Sequence, residues 1–220
     1  LMFWRSLIAW IGGLGIVVLS IVILARAMGA GGSRLFKAEV SGHEVTRLKP
    51  RIKQTAIALW KIYIVFTILG IVLLTIAGLD IFDSICHTLC ALPTAGFSTR
   101  YNSVGAYNNV YAEIIIMLLM IIGGTNFTLH YLFFTGKPKA MFTDSEFKFY
   151  IFIMTLATLV VTINLIISGF YSPLSAFRFV AFNVVSINTT TGFATADFAV
   201  WPIPSQLILL VLMFFGACMG

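Results

Sequence analysis

Pro93-Thr94-Ala95-Gly96-Phe97-Ser98-Thr99 and Thr189-Thr190-Thr191-Gly192-Phe193-Ala194-Thr195 are two copies of one pattern. Aligned on glycine, both read Thr-x-Gly-Phe-x-Thr, at an offset of 96 residues, the difference between 192 and 96. Each lies between long apolar segments. In a bilayer, non-helical backbone persists only where it is buried in protein or lines a watery path, because lipid satisfies no amide. A polar, glycine-centred loop held at that depth twice reads as the lining of such a path.

The rest of the composition agrees. The 220 residues are 60% hydrophobic and 10% charged, with a mean hydropathy of +1.01. Soluble domains carry about a quarter charged residues. Several apolar runs exceed the roughly 20 residues that cross a bilayer. An integral, multi-pass protein of the cell membrane, in contact with lipid, is therefore expected. The formal charge of +6 does not point to nucleic acid, because its placement is uneven: of 14 Lys and Arg, eight fall between Arg26 and Lys61 and three between Lys137 and Lys148. Clusters in alternate loops mark the cytoplasmic side. Three cysteines with no zinc-like spacing imply neither a disulfide framework nor a transition-metal site. Leu1 is not an initiating methionine, and Phe3-Trp4-Arg5 reads as the lead-in to a spanning helix, so the chain is expected to be a piece of a longer polypeptide.

Taken in order, residues 1–26 form one helix, with its span at 6–24, interfacial Trp4 and Trp10, and a small-residue face at Gly12, Gly13 and Gly15 suited to close helix packing. Residues 27–54 are a basic cytoplasmic loop that sets orientation and offers a docking surface. Residues 55–136 form a complete repeat: an outer helix at 56–78, a half-helix at 80–92, a loop at 94–99, a polar return at 100–109 and an inner helix at 110–134. Asp80 or Asp83 suits the half-helix cap, and Pro93 stops it. Residues 137–146 are a second cytoplasmic loop. Residues 147–220 repeat the design incompletely: an outer helix at 147–169, a half-helix at 172–188 with Pro173 in its first turn, a loop at 190–195, and an inner helix opened by Pro202 and Pro204. The pair Gly123-Gly124 matches Gly12-Gly13, and Gly216-Ala217 matches again. The repeated unit is thus helix, half-helix, loop, helix. The fold class is all-α transmembrane.

The loops have the chemistry of a cation filter. A dehydrated potassium ion needs a cage of oxygens, which successive backbone carbonyls supply, as in potassium-channel filters. Such a backbone needs left-handed geometry somewhere, and glycine reaches it without a Cβ clash. Gly96 and Gly192 are the first site residues on this reasoning. Thr94 and Thr190 contribute carbonyl or hydroxyl oxygens. Ala95, Thr191, Phe97 and Phe193 contribute carbonyls while their side chains pack behind the loop. Neither loop holds a carboxylate, which a calcium or magnesium cage would want.

Other candidates carry less. Asp197 either concentrates cations at the outer mouth or is a solvated loop residue. Cys86, His87 and Cys90 share a helix, but no fourth ligand is near, which favours packing over metal. His43 and His130 receive no role. Asn126 and Asn164 are read as inter-helix hydrogen-bonding groups. Glu113 and Glu146 are expected to be solvated. No acid–base pair or nucleophile appears at membrane depth, so an enzyme is not expected.

Phe3-Trp4-Arg5-Ser6 through Trp10-Ile11-Gly12-Gly13, Pro50-Arg51-Ile52, the two loops, and Gly123-Gly124-Thr125-Asn126-Phe127 followed by His130-Tyr131 resemble the membrane subunit of Trk-type potassium uptake systems across nearly the whole chain. The resemblance implies four potassium-channel-like repeats around one pseudo-fourfold pore, with one glycine per filter. This chain would hold the second and third filters, the other repeats lying elsewhere in the full-length chain. It implies potassium as substrate and no cofactor, a homodimer, and a cytosolic nucleotide-binding regulatory subunit, for which the loop at 26–53 is a plausible contact. Gly216-Ala217-Cys218-Met219-Gly220 would begin a gate. Alternatives stay open: the same fold passing sodium as well, or a structural or regulatory membrane protein that does not conduct.

Overall fold

A computed structural model describes residues 1–15, 52–136 and 138–215. The basic loop, the second half of the first predicted span and the segment at 216–220 lie outside the described residues. The described chain is helical throughout. α1 (Met2–Trp10) continues as a wider π-helical turn at Ile11–Gly15. α2 is Ile52–Ile76, and α3 is the half-helix Ile81–Ala91. The inner helix expected at 110–134 is divided into α4 (Val110–Gly123) and α5 (Phe127–Phe134). A short α6 (Lys139–Thr143) leads to α7 (Ser145–Ile167). The second half-helix is α8 (Pro173–Asn188), and α9 is Ile203–Phe215. Turns of 3₁₀ helix at Ser103–Tyr107 and Phe198–Val200 follow the two loops.

Local chemistry sets the helix ends. Asp80 caps α3, its Oδ2 accepting from the Phe82 amide, and Asn109 caps α4 through Tyr111 and Ala112. Asp144 caps α7 at Phe147, and Pro173 occupies the first turn of α8. Asp197 caps the turn at 198–200 through the Ala199 amide.

Ile57–Ile76 of α2 and Ser145–Ile167 of α7 are long and apolar enough to span a membrane. The sides of α2 are reversed relative to a soluble helix. Ile64, Ile68 and Val72 are exposed, while Tyr63 and Thr67 are buried. Aliphatic side chains facing outward and hydroxyls facing inward suit a lipid solvent. Trp10, expected at the interface, instead turns inward. Its ring stacks on Tyr63 at 5.3 Å and its Nε1–H donates to Thr67 Oγ1 at 2.9 Å. Packing on α2 satisfies its indole N–H as an interfacial water would. Trp4 is 64% exposed.

The packing order repeats. α3 packs against α2, α4 and α1; α8 packs against α7, α9 and α4. Each half-helix is thus held by the long helices on either side of it in sequence and by one helix that precedes them.

Candidate functional site: the two glycine-centred loops

The two loops share one backbone conformation. Thr94 (φ 55°) and Gly96 (φ 68°) are left-handed in the first, Thr190 (φ 57°) and Gly192 (φ 88°) in the second. Glycine takes this geometry freely, whereas a β-branched threonine pays about 1–3 kcal/mol in strain, which persists only where surroundings enforce it. The enforcement is also duplicated. The amides of Ala95 and Gly96 both donate to Cys90 O at 2.8 and 3.3 Å, and those of Thr191 and Gly192 both donate to Ser186 O at 2.9 and 3.3 Å. The Thr94 amide donates to Ala91 O, and the Thr190 amide to Ile187 O. Every one of these pairs is related by the same offset of 96 seen in the sequence. The first three amides of each loop, 94–96 and 190–192, are therefore taken up by the C-terminal carbonyls of the half-helices. No backbone amide among the described residues donates to the carbonyls of Ala95, Gly96, Thr191 or Gly192. The C-terminal end of each half-helix, the negative pole of its dipole, leads straight into its loop.

The loops meet. A Cβ added to Gly96 would stand 1.8 Å from Thr191 O, so the first loop lies directly against the carbonyl side of the second. Among the described residues beyond its chain neighbours, none comes within 4 Å of such a Cβ on Gly192. Thr94, Thr191 and Phe193 are buried, Ala95 and Gly96 half-buried, and Thr190 and Gly192 exposed. Phe193 packs behind its loop, as expected. Phe97 does not: it is 42% exposed, with the Arg5 guanidinium 4.3 Å above its ring. Phe193 is covered by α3, whose His87 ring stacks on it.

The paired small residues set the depth of the loops. A Cβ on Gly123 would meet Leu92 O of its own unit at 2.0 Å, and one on Gly124 would meet Thr189 Cγ2 of the next unit at 3.2 Å and the Tyr150 hydroxyl at 2.8 Å. Gly13 repeats the second relation, facing Pro93 Cβ at 2.6 Å and the Tyr63 hydroxyl at 2.9 Å. Pro93 and Thr189 are again 96 apart. These glycines let a helix backbone touch the base of a loop, which is the packing role expected of them. Immediately past Gly124 the inner helix breaks. Thr125 Oγ1–H donates to Ile121 O, and Ile122 O, which accepts the Thr125 amide at 3.2 Å, is also met by the His130 ring nitrogen Nε2 at 3.0 Å. His130, given no role from sequence, caps this interruption.

The outer ends of the loops are braced by side chains that sequence reasoning undervalued. His87 is fully buried, with Nδ1 2.8 Å from Asp83 O and Nε2 3.0 Å from Ser98 Oγ. A carbonyl only accepts, so Nδ1 carries the proton and Nε2 accepts from the Ser98 hydroxyl. Ser98 Oγ in turn accepts the Arg100 amide, and the Arg100 guanidinium grips Asp83 Oδ2 at 2.9 and 3.2 Å. Thr99 donates to Asp83 Oδ1 at 2.7 Å and lies 3.2 Å from the Tyr107 hydroxyl. Burial pushes the Tyr107 phenol up, which keeps it neutral. Asp83 is thus not the helix cap but the anchor of the outer end of loop 94–99. In the second unit, Asn183 takes the His87 position, donating to Phe179 O and Thr195 Oγ1.

The second loop is also tied to the first unit. The Gly105 amide donates to Ala194 O at 3.0 Å, and the Ala194 amide donates to Ser103 Oγ at 3.2 Å. Arg178 at the start of α8 forms a two-pronged pair with Glu113, at 2.7 and 2.8 Å, and reaches Asn108 Oδ1. Glu113, expected to be solvated, is 4% exposed, because the arrival of α8 covers it and supplies its counter-charge. Glu146 is exposed, and Asn164 accepts from Ser205 across α7 and α9. Cys86 and Cys90 are buried free thiols, and no cluster able to hold a metal occurs among the described residues.

Comparison with known proteins accords with this architecture. The family model described as TrkH, cation transport protein, matches residues 1–220. The chain is 39% identical to the Trk system potassium uptake protein TrkH of Vibrio parahaemolyticus, covering 100% of this chain and 46% of that protein. It is 35% identical to TrkH and 34% identical to TrkG of Escherichia coli K12, again over its whole length. The chain therefore spans about half the length of these relatives. The crystal structure of the potassium transporter TrkH from Vibrio parahaemolyticus superposes with a TM-score of 0.80 at 36% identity, over 99% of this chain and 45% of that one. These proteins are named as transporters, and the repeated all-helical unit is theirs as well. By sequence along its full length and by fold, this membrane chain belongs to the TrkH family of cation transport proteins.

Proposed function

We propose that this chain supplies two of the filter segments of a potassium-conducting membrane transporter, with Thr94, Ala95, Gly96 and Phe97 in one and Thr190, Thr191, Gly192 and Phe193 in the other. One observation carries the reading. Both loops turn their amides back onto half-helix carbonyls, through identical bonds at equivalent residues, and they abut at Gly96 and Thr191. Backbone oxygens relieved of amide partners and gathered beside a second loop of the same conformation can replace the water of a bare monovalent cation. The names of the relatives support potassium as that cation.

The unit boundaries at 55–136 and 147–220, with 1–26 ending an earlier unit, belong to the same proposal. So do further filter segments supplied by the rest of a longer chain. The homodimer and the cytosolic nucleotide-binding regulatory subunit remain proposals drawn from the resemblance, as do the absence of a cofactor and of enzymatic activity.

The test is ion flux through the full-length protein in liposomes. Gly96→Ser and Gly192→Ser should each lower the preference for potassium over sodium. If the folded double variant keeps the wild-type preference, these loops are not the filter. If the wild-type protein passes potassium and sodium alike, the potassium reading fails.

A further inference from the structure

His87 is a buried side chain that touches both loops. Its Nε2 holds Ser98 of the first loop at 3.0 Å, and its ring stacks on Phe193 of the second, with centroids 5.6 Å apart and planes at 29°. Its edge meets the Tyr107 ring at 5.4 Å, in the turn whose Ser103 and Gly105 bond Ala194. A closed circuit runs from Asp83 O through His87, Ser98 and Arg100 back to the Asp83 carboxylate. Two hydrogen bonds and a T-shaped ring contact therefore fix the ring, and Phe193 of the second loop stacks on it.

We infer that His87 is a positioning residue that sets the spacing between the two filter loops, and through that spacing the discrimination between potassium and sodium. This rests on the reading of the loops as filters. An oxygen cage selects by the distance and number of its oxygens, so a side chain clamped to one loop and packed on the next fixes both. The second unit shows what the position requires locally. Asn183 makes the same bond to the carbonyl four residues back, Phe179 O, and also holds its own loop, through Thr195. Asparagine suffices to hold a loop to its half-helix; the histidine ring adds the reach to the neighbouring loop.

The experiment measures potassium and sodium permeation through the full-length protein in liposomes, with wild type, H87N and S98A compared at equal amounts of folded protein. H87N keeps a side chain that the equivalent position accommodates, but removes the ring from Phe193. S98A removes the other link and sits in a loop outside the helical core. The inference expects each to lower the potassium-over-sodium ratio about threefold or more, the factor that one hydrogen bond or ring pair is worth. A role confined to folding would lower the amount of active protein and leave the ratio unchanged. H87N and S98A proteins with wild-type ratios overturn the inference, while wild-type preference and its loss in G96S still stand for the filter reading. If H87N does not fold, S98A decides alone. Wild-type protein without potassium preference overturns both.

Discussion

Gly123→Ala sets two effects of opposite sign against each other. Alanine favours a helix over glycine by at most about 1 kcal/mol, and less at this last position of α4. Propensity alone therefore predicts a slightly more stable protein. The structure predicts the reverse. The new Cβ would lie 2.0 Å from Leu92 O and 2.9 Å from the carbon that bears it. Carbon and carbonyl oxygen normally approach no closer than about 3.3 Å, so α4 must withdraw by roughly 1 Å. The obstacle is backbone at the end of a half-helix, which cannot move aside by changing rotamer. Overpacking costs about 1–3 kcal/mol, and against fixed backbone the cost falls at about 2–3, leaving a net loss of about 1–2 kcal/mol after the propensity gain. The withdrawal also lifts the inner helix from the base of loop 94–99, whose Thr94 Cγ2 would stand 3.3 Å from the same Cβ. The expected result for full-length protein is a lower thermal unfolding midpoint together with reduced potassium flux in liposomes. A midpoint that stays level or rises, with flux intact, would show that the close approach of α4 to Leu92 is absent from the working protein.

Two further predictions concern the supports of the loops. Glu113→Gln leaves Arg178 facing a neutral partner in a largely buried pair, and should destabilise the full-length protein by about 2 kcal/mol, read as a lower unfolding midpoint; an unchanged midpoint would remove the pair from the list of forces that seat α8. Asp80→Ala frees the Phe82 amide at the start of α3 and should cost about 1 kcal/mol by the same assay. A larger loss, approaching that of Glu113→Gln, would mean that the cap also restrains the neighbouring loop.

The repeated loops were legible because their requirement is local. A left-handed residue two positions after another, following a half-helix, leaves its mark as glycine and as a duplicated pattern. The half-helix limits were legible too, from Asp80, Pro93 and Pro173. The break at Gly124-Thr125-Asn126 was not. The segment at 110–134 is apolar enough to read as one helix, and the contact of His130 with Ile122 O that braces the interruption forms only on folding. Glu113 reads as a terminal, solvated acid until α8 covers it with Arg178, 65 residues further along. Phe97 and Phe193 occupy identical places in the pattern, yet only Phe193 is buried.

Sequence alone determined the membrane setting, the repeated unit, the position of the paired loops and the resemblance to Trk-type systems, since hydropathy, glycine placement and repetition are properties of neighbouring residues. Tertiary structure decided which loop lies against which, that Gly96 meets Thr191, and that His87 spans both. Those relations depend on how helices far apart in the chain pack, and on the few places where a missing side chain lets one backbone touch another.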